Sequence, residues 1–420
     1  MTFLLGTRLA LPFRNSNYGI YAAGNAISLI GTWMQRISIG WLTWQLTHSG
    51  LWLGIVSFAD FCPVILVGPI AGAAADRWDR LQVVKTSQVV SLVQATVLCA
   101  LTALDHMNIW LLVALTAFQG VVVAFNQPAR LALVPSLVTH AELASAVAIN
   151  SVIFNLARFV GPMLAGLAIV SSGVSASFAA NALSYVAFLL ALTRVSVDRT
   201  DVAPANRRSL AVDLRDGISY TARHPAIAAL LVLLVAIGIG GRPLNDLLPG
   251  FAATVFRSGA GGLSLLASAT GAGAILGGLW LGHRAETLGL TRIAIRASVG
   301  GAIAAAAVAS TDRMWVAILA IMAFGFCVSS AGIAIQTLVQ LSSDRGMRGR
   351  VMGLYGLIFR GAPAIGGLTA GAASTYFGLR WPIVLGALLV LVACAWTYRN
   401  RAQIEAAILA EPPGPRDERS

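Results

Sequence analysis

Twelve apolar blocks, most of them about twenty residues long and separated by short charged loops, limit what this chain can fold into. A helix needs about twenty apolar residues to cross roughly 30 Å of hydrocarbon. The blocks fall at 18–46, 51–75, 82–104, 109–127, 143–171, 174–194, 226–250, 262–282, 293–310, 314–340, 351–376 and 381–398. They lack the strict alternation of a membrane barrel, so helices must satisfy the backbone in lipid. Of the 420 residues 57% are hydrophobic and only 11% charged, against about 25% charged in a soluble domain. The lipid bilayer is therefore the expected solvent, and an all-α membrane protein with 12 transmembrane helices the expected fold class.

The net charge of +12 invites a nucleic-acid reading, but its distribution points elsewhere. Of the 29 Lys and Arg residues, only Arg257, Arg313 and Arg380 lie in odd-numbered loops. Positive charge gathers on the cytoplasmic side of membrane proteins. This places both termini and the even loops in the cytoplasm and predicts an even number of spans. No nucleic-acid partner is expected. The longest polar stretch divides the spans six and six. The expected organisation is an N-terminal six-helix bundle (1–194), a cytoplasmic linker (195–225), a C-terminal six-helix bundle (226–398) and a cytoplasmic tail (399–420). Gly161-Pro162 with Gly166, and Ala362-Pro363 with Gly367, sit at matching places in two pseudo-symmetric halves. One chain holding both halves predicts a monomer.

Chemistry that makes or breaks covalent bonds has little to work with. Cys62, Cys99, Cys327 and Cys394 all lie in apolar blocks, where they read as small buried hydrophobes. The five histidines are scattered over loops and span ends, and no GxxxxGK[ST] phosphate loop is present. No cofactor, no metal site and no enzymatic activity are expected, and a primary pump is disfavoured.

Ionisable residues inside spans are costly and mark functional sites by default. There are six: Arg36, Asp60, Arg158, Arg242, Asp246 and Arg360. Arg36 and Asp60 lie at similar depth in spans 1 and 2. One reading makes Asp60 the proton-coupling carboxylate, its proton affinity switched by its distance from Arg36. The other makes it half of a permanent structural pair with Arg36 or Arg158. Arg158 and Arg360 are substrate-cavity candidates, because guanidinium forks suit carboxylate and phenolate oxygens. Their alternative role is bonding to neighbouring carbonyls. Asn25, Gln35 and Asn155 either line the cavity or join helices by hydrogen bonds. Trp33, Trp41 and Trp44 read as interface anchors in preference to cargo-stacking rings. Arg242 and Asp246, four residues apart, form either a local pair or an outer gate.

The loop after span 2 reads Gly72-Ala-Ala-Ala-Asp76-Arg77-Trp78-Asp79-Arg80. This GxxxDRxDR run resembles the GxxxDRxGR signature of the major facilitator superfamily, with Asp79 where the family has glycine. The resemblance implies the major facilitator fold and a cytoplasmic latch made by Gly72, Asp76, Arg77, Asp79 and Arg80. Gly161, Pro162 and Gly166 are similar to the fifth-helix signature of the family's antiporters, which favours export. Gly31-Thr32-Trp33-Met34-Gln35, Asn126-Gln-Pro128-Ala129-Arg130 and Arg348-Gly349-Arg350 extend the likeness to the branch of enterobactin exporters and macrolide efflux proteins. The resemblance implies alternating-access export of a small amphiphilic or anionic molecule, siderophore-like or drug-like, coupled to protons, in a bacterial cytoplasmic membrane. A lipid or lysolipid flippase and a non-transporting membrane sensor are the alternatives.

Overall fold

A computed structural model describes residue 12 and residues 16–75, 78–196, 210–284, 289–344 and 346–409. The described residues are almost entirely helical and contain no strand. The first six long helices are α1 (Ser16–Thr47), α2 (Gly50–Ala75), α3 (Arg80–Ala103), α4 (Ile109–Leu133), α5 (Leu143–Ser172) and α6 (Val174–Thr193). A short helix, α7 (Leu210–Arg223), precedes α8 (Pro225–Val255), α9 (Gly259–His283), α10 (Leu290–Ser310), α11 (Met314–Leu341), α12 (Arg348–Phe377) and α13 (Arg380–Arg399). Another short helix, α14 (Arg401–Leu409), follows.

Eleven of these are long and apolar enough to cross a membrane, counting only described residues: α2 to α6 and α8 to α13. The twelfth expected span, α1, has ample length at 32 residues but falls short in apolarity. The reason is its inward face, which buries Asn25, Ser28, Gln35, Ser38 and Thr43 against neighbouring helices. Helix boundaries follow local chemistry. Asp79 caps α3 by accepting the Gln82 N–H at 3.1 Å, and Asn108 caps α4 by accepting the Leu111 N–H at 2.9 Å. Gly173, with φ of 86°, makes the turn between α5 and α6.

Two spans run longer than the apolar blocks predict. The block at 109–127 stops before Pro128, yet α4 continues through that proline to Leu133. A membrane helix tolerates proline where neighbours re-satisfy the freed backbone. The block at 226–250 extends to Val255 through π-helical turns at Ile237–Gly241 and Phe251–Val255.

By compactness the chain forms two units, one of Met1–Ala205 with Asp246–Gly271, the other of Asn206–Asn245 with Ala272–Ser420. In the first, α1 packs on α5 and α6, α2 on α4, and α3 on α4 and α6. The late part of α8 and the early part of α9 group with it because they approach α1 and α5 closely. A methyl at Gly40 of α1 would lie 3.2 Å from Pro249, and one at Gly271 would lie 2.8 Å from the Arg158 carbonyl. In the second unit, α8 packs on α12 and α13, and α10 on α11 and α13. These match four of the five packings of the first unit with an offset of six spans.

The second unit also carries the two short helices. Asp216 of α7 pairs with Arg350 of α12 at 3.4 Å, and the Asp344 N–H donates to the Tyr220 hydroxyl at 3.3 Å. Burial in this contact pushes the Tyr220 phenol above the ordinary tyrosine range. Ile404 of α14 is fully buried in the core that includes Ala226 and Leu230 of α8.

Candidate functional site

The first unit holds an ion pair within its spans. Arg36 Nη2 of α1 lies 3.6 Å from Asp60 Oδ2 of α2. That separation is a charge contact longer than a hydrogen bond. Each residue is about ten positions from the α1–α2 turn, so both sit roughly 15 Å along their helices from it. The antiparallel turn therefore brings them to one level. Their side chains keep 43% and 32% of their surface exposed.

Aromatic rings surround the guanidinium. Arg36 lies over Phe61 at 5.0 Å and over Trp33 at 5.5 Å. Arg158 of α5 lies over the same Trp33 ring at 5.9 Å. Phe154 meets Trp33 edge-on at 5.9 Å. Trp33, expected at the membrane interface, instead lies in mid-helix, shared by two cations. Spacing alone misses this, because only tertiary packing brings α5 beside α1. Trp44 is buried with its ring perpendicular to that of His48, and Trp41 packs partly buried against a core cluster.

Two glycines let the helices come this close. A methyl at Gly161 of α5 would sit 2.5 Å from Trp33 Cβ and 3.0 Å from the Ile30 carbonyl oxygen. One at Gly120 of α4 would sit 2.7 Å from the Asp60 carbonyl oxygen and 3.3 Å from that of Ala59. Pro63 has no N–H to give Ala59, and the bare Gly120 backbone approaches at that point.

Gln35, next to Arg36 in the chain, joins a buried amide network. Gln35 Nε2 donates to Gln94 Oε1 at 3.1 Å, and Asn181 Nδ2 donates to Gln35 Oε1 at 2.8 Å. Gln94 Nε2 in turn donates to the Leu115 carbonyl at 3.2 Å. Four helices, α1, α3, α4 and α6, are thus joined at one level. Gln35 is 4% exposed, so its amide is used between helices. Asn25, equally buried, accepts a bond from Arg130. Asn155 is half-buried and donates to the Ser151 carbonyl within its own helix at 2.8 Å. In the second unit, Arg360 is half-buried in α12, and Arg242 lies over Phe359 at 4.4 Å.

The loop motif is divided by what the structure describes. Asp76 and Arg77 lie outside the described residues. Asp79 caps α3, and Arg80 Nη1 donates to the Ala132 carbonyl at 3.2 Å, tying that helix to the end of α4. A methyl at Gly72 would meet no described atom within 4 Å. Pro162 is buried beside Gly161, and Gly166 meets Ser264 of α9 with no room for a side chain.

A bundle of long apolar helices with ions held inside its spans and this packing order is that of a major facilitator transporter. The chain belongs to the transmembrane secretion effector family, whose profile matches residues 7–412, an efflux and secretion branch of that superfamily. It is 28% identical over 174 residues to the staphyloferrin A transporter of Staphylococcus aureus, covering 41% of this chain and 44% of that one. Against the enterobactin exporter EntS of Salmonella choleraesuis it is 24% identical, with 87% and 89% covered. With macrolide efflux protein A of Streptococcus pyogenes it shares 22% identity, with 88% and 93% covered. In fold it is similar to a bacterial homologue of the human lysosomal transporter Spinster, crystallised inward-facing and occupied. The TM-score there is 0.75 at 14% identity, with 96% of this chain and 99% of the other covered.

Proposed function

We propose that this chain exports a small amphiphilic or anionic molecule, siderophore-like or drug-like, in exchange for protons by alternating access. The observation that carries this reading is the Arg36–Asp60 pair, level within two spans and with both side chains partly exposed. An ion pair facing hydrocarbon would be expensive, so its open side is read as facing a watered path. Asp60 then takes and gives the proton, and Arg36 is the charge that answers it. Arg158 and Arg360 are read as the cations that meet cargo oxygens, with Asn155 beside the first. Gly72, Asp76, Arg77, Asp79 and Arg80 are read as a cytoplasmic latch, which the Arg80 tie to α4 supports. The arginine asymmetry supports both termini in the cytoplasm of a bacterium, and one chain carrying two similar packing orders supports a monomer.

The export reading draws on relatives that carry enterobactin, staphyloferrin A and macrolides. Proteoliposomes with an imposed pH gradient test it, using a panel of hydroxycarboxylates, phenolates, macrolides and lysolipids. Gradient-driven movement of one of the first three classes is the expected result. Movement of lysolipid between leaflets, with none of the others transported, would replace export by a flippase. No flux of any compound would leave a non-transporting membrane sensor.

A further inference from the structure

Among the described residues, Trp33 is the one ring within reach of two intramembrane cations from different helices: Arg36 of its own helix at 5.5 Å and Arg158 of α5 at 5.9 Å. Aromatic faces attract guanidinium within about 6 Å, the more so away from water. The ring is itself held, with Phe154 on its edge and the Gly161 backbone against its Cβ.

What happens to Arg36 when Asp60 gains a proton is a matter of charge balance. The carboxylate becomes a neutral carboxyl, the guanidinium keeps its charge, and the site gains one positive charge. A guanidinium left in a span needs a new partner. Two rings, Phe61 and Trp33, already lie beside it, and Trp33 is also the neighbour of Arg158.

We propose that Trp33 is the positioning residue that receives Arg36 when Asp60 is protonated and, being shared, passes that event to Arg158. This rests on Asp60 being the proton site. With Asp60 ionised, Arg36 is divided between the carboxylate at 3.6 Å and the indole, which Arg158 shares. With Asp60 neutral, Arg36 moves fully onto that ring, and Arg158 is pushed from its resting place toward or away from cargo. Proton binding and cargo binding are then linked through a single side chain.

The other ionisable groups on elements packed nearby are few. On α6, the Tyr185 hydroxyl lies 3.4 Å from Thr32 Oγ1. On α4, Arg130 bonds Asn25, farther along α1. On α8, Asp246 is one turn from Pro249, which abuts Gly40. Tyr185 and Arg130 bond other residues of α1, and Asp246→Asn serves as a control for the third.

The test compares the pH profile of gradient-free cargo uptake in proteoliposomes for the native protein, Trp33→Leu, Trp33→Phe and Asp246→Asn. Losing the ring disfavours the protonated state, so Trp33→Leu is expected to move the pH midpoint toward acid by about half a unit. Trp33→Phe keeps a π face and should restore most of the shift. The pH dependence of cargo KM should flatten in Trp33→Leu. Unchanged midpoints in both Trp33 variants, with only the maximal rate lowered, would reduce Trp33 to packing and overturn the proposal. So would a midpoint shift that Asp246→Asn reproduces in full. Asp60→Asn separates the two claims. Proton-linked flux surviving that change removes the underlying reading, whereas flux lost there with an unmoved Trp33→Leu midpoint removes only this inference.

Discussion

At the scale of single residues, contacts to glycine make the sharpest predictions. Gly161→Ala would push a methyl to 2.5 Å from Trp33 Cβ, with the Ile30 backbone behind it. Overpacking of this kind costs about 1–3 kcal/mol, and a lowered melting temperature in detergent checks it. Gly72→Ala, with no described atom within 4 Å, should leave the melting temperature unchanged. Both glycines belong to motifs legible in the sequence, yet sequence cannot tell them apart. The difference lies in which backbone passes each one, and that is fixed by folding. Trp33 makes the same point from the other side. Its position toward the outer part of a span suggested an interface anchor, while its partners, Arg158 and Phe154, are more than a hundred residues away.

At the scale of elements, the apolar blocks located the spans because bilayer thickness dictates helix length. They located α1 as well, at 18–46 against Ser16–Thr47, although it falls short in apolarity because its buried amides and hydroxyls serve α3 and α6 instead of lipid. Gln35→Leu would strand Asn181 and Gln94 without their shared partner, at about 1–3 kcal/mol, read as reduced thermal stability. Asn155→Ala, whose bond is within its own helix, should shift stability by no more than about 0.5 kcal/mol. The stretch 195–225 reads as a polar linker, and its charges hide an amphipathic turn pattern. It contains α7, docked through Asp216 and Tyr220. Asp216→Asn should loosen that docking by under about 1 kcal/mol, as expected of a partly exposed pair. Faster hydrogen exchange confined to α7 would show it.

At the scale of the whole molecule, four helix packings of the first six spans recur among the last six. The six intramembrane ions were visible in the sequence as violations of an otherwise apolar text. That Arg36 and Asp60 share a level followed from helix rise alone. Which ring stands beside each ion did not, since Phe61 of α2 reaches Arg36, and Trp33 of α1 reaches Arg158, only through the packing of one helix on another. The arginine asymmetry makes its own prediction at this scale. Cysteines placed singly near each terminus of a cysteine-free variant should resist impermeant thiol reagents applied outside intact cells. They should react once the membrane is opened.

The central claim is that the Arg36–Asp60 pair couples cargo to protons, and Asp60→Asn in sealed proteoliposomes addresses it. The account predicts that this variant still exchanges labelled for unlabelled cargo at equilibrium but no longer accumulates cargo when a pH gradient is imposed. Accumulation at the native level under the same gradient would contradict it.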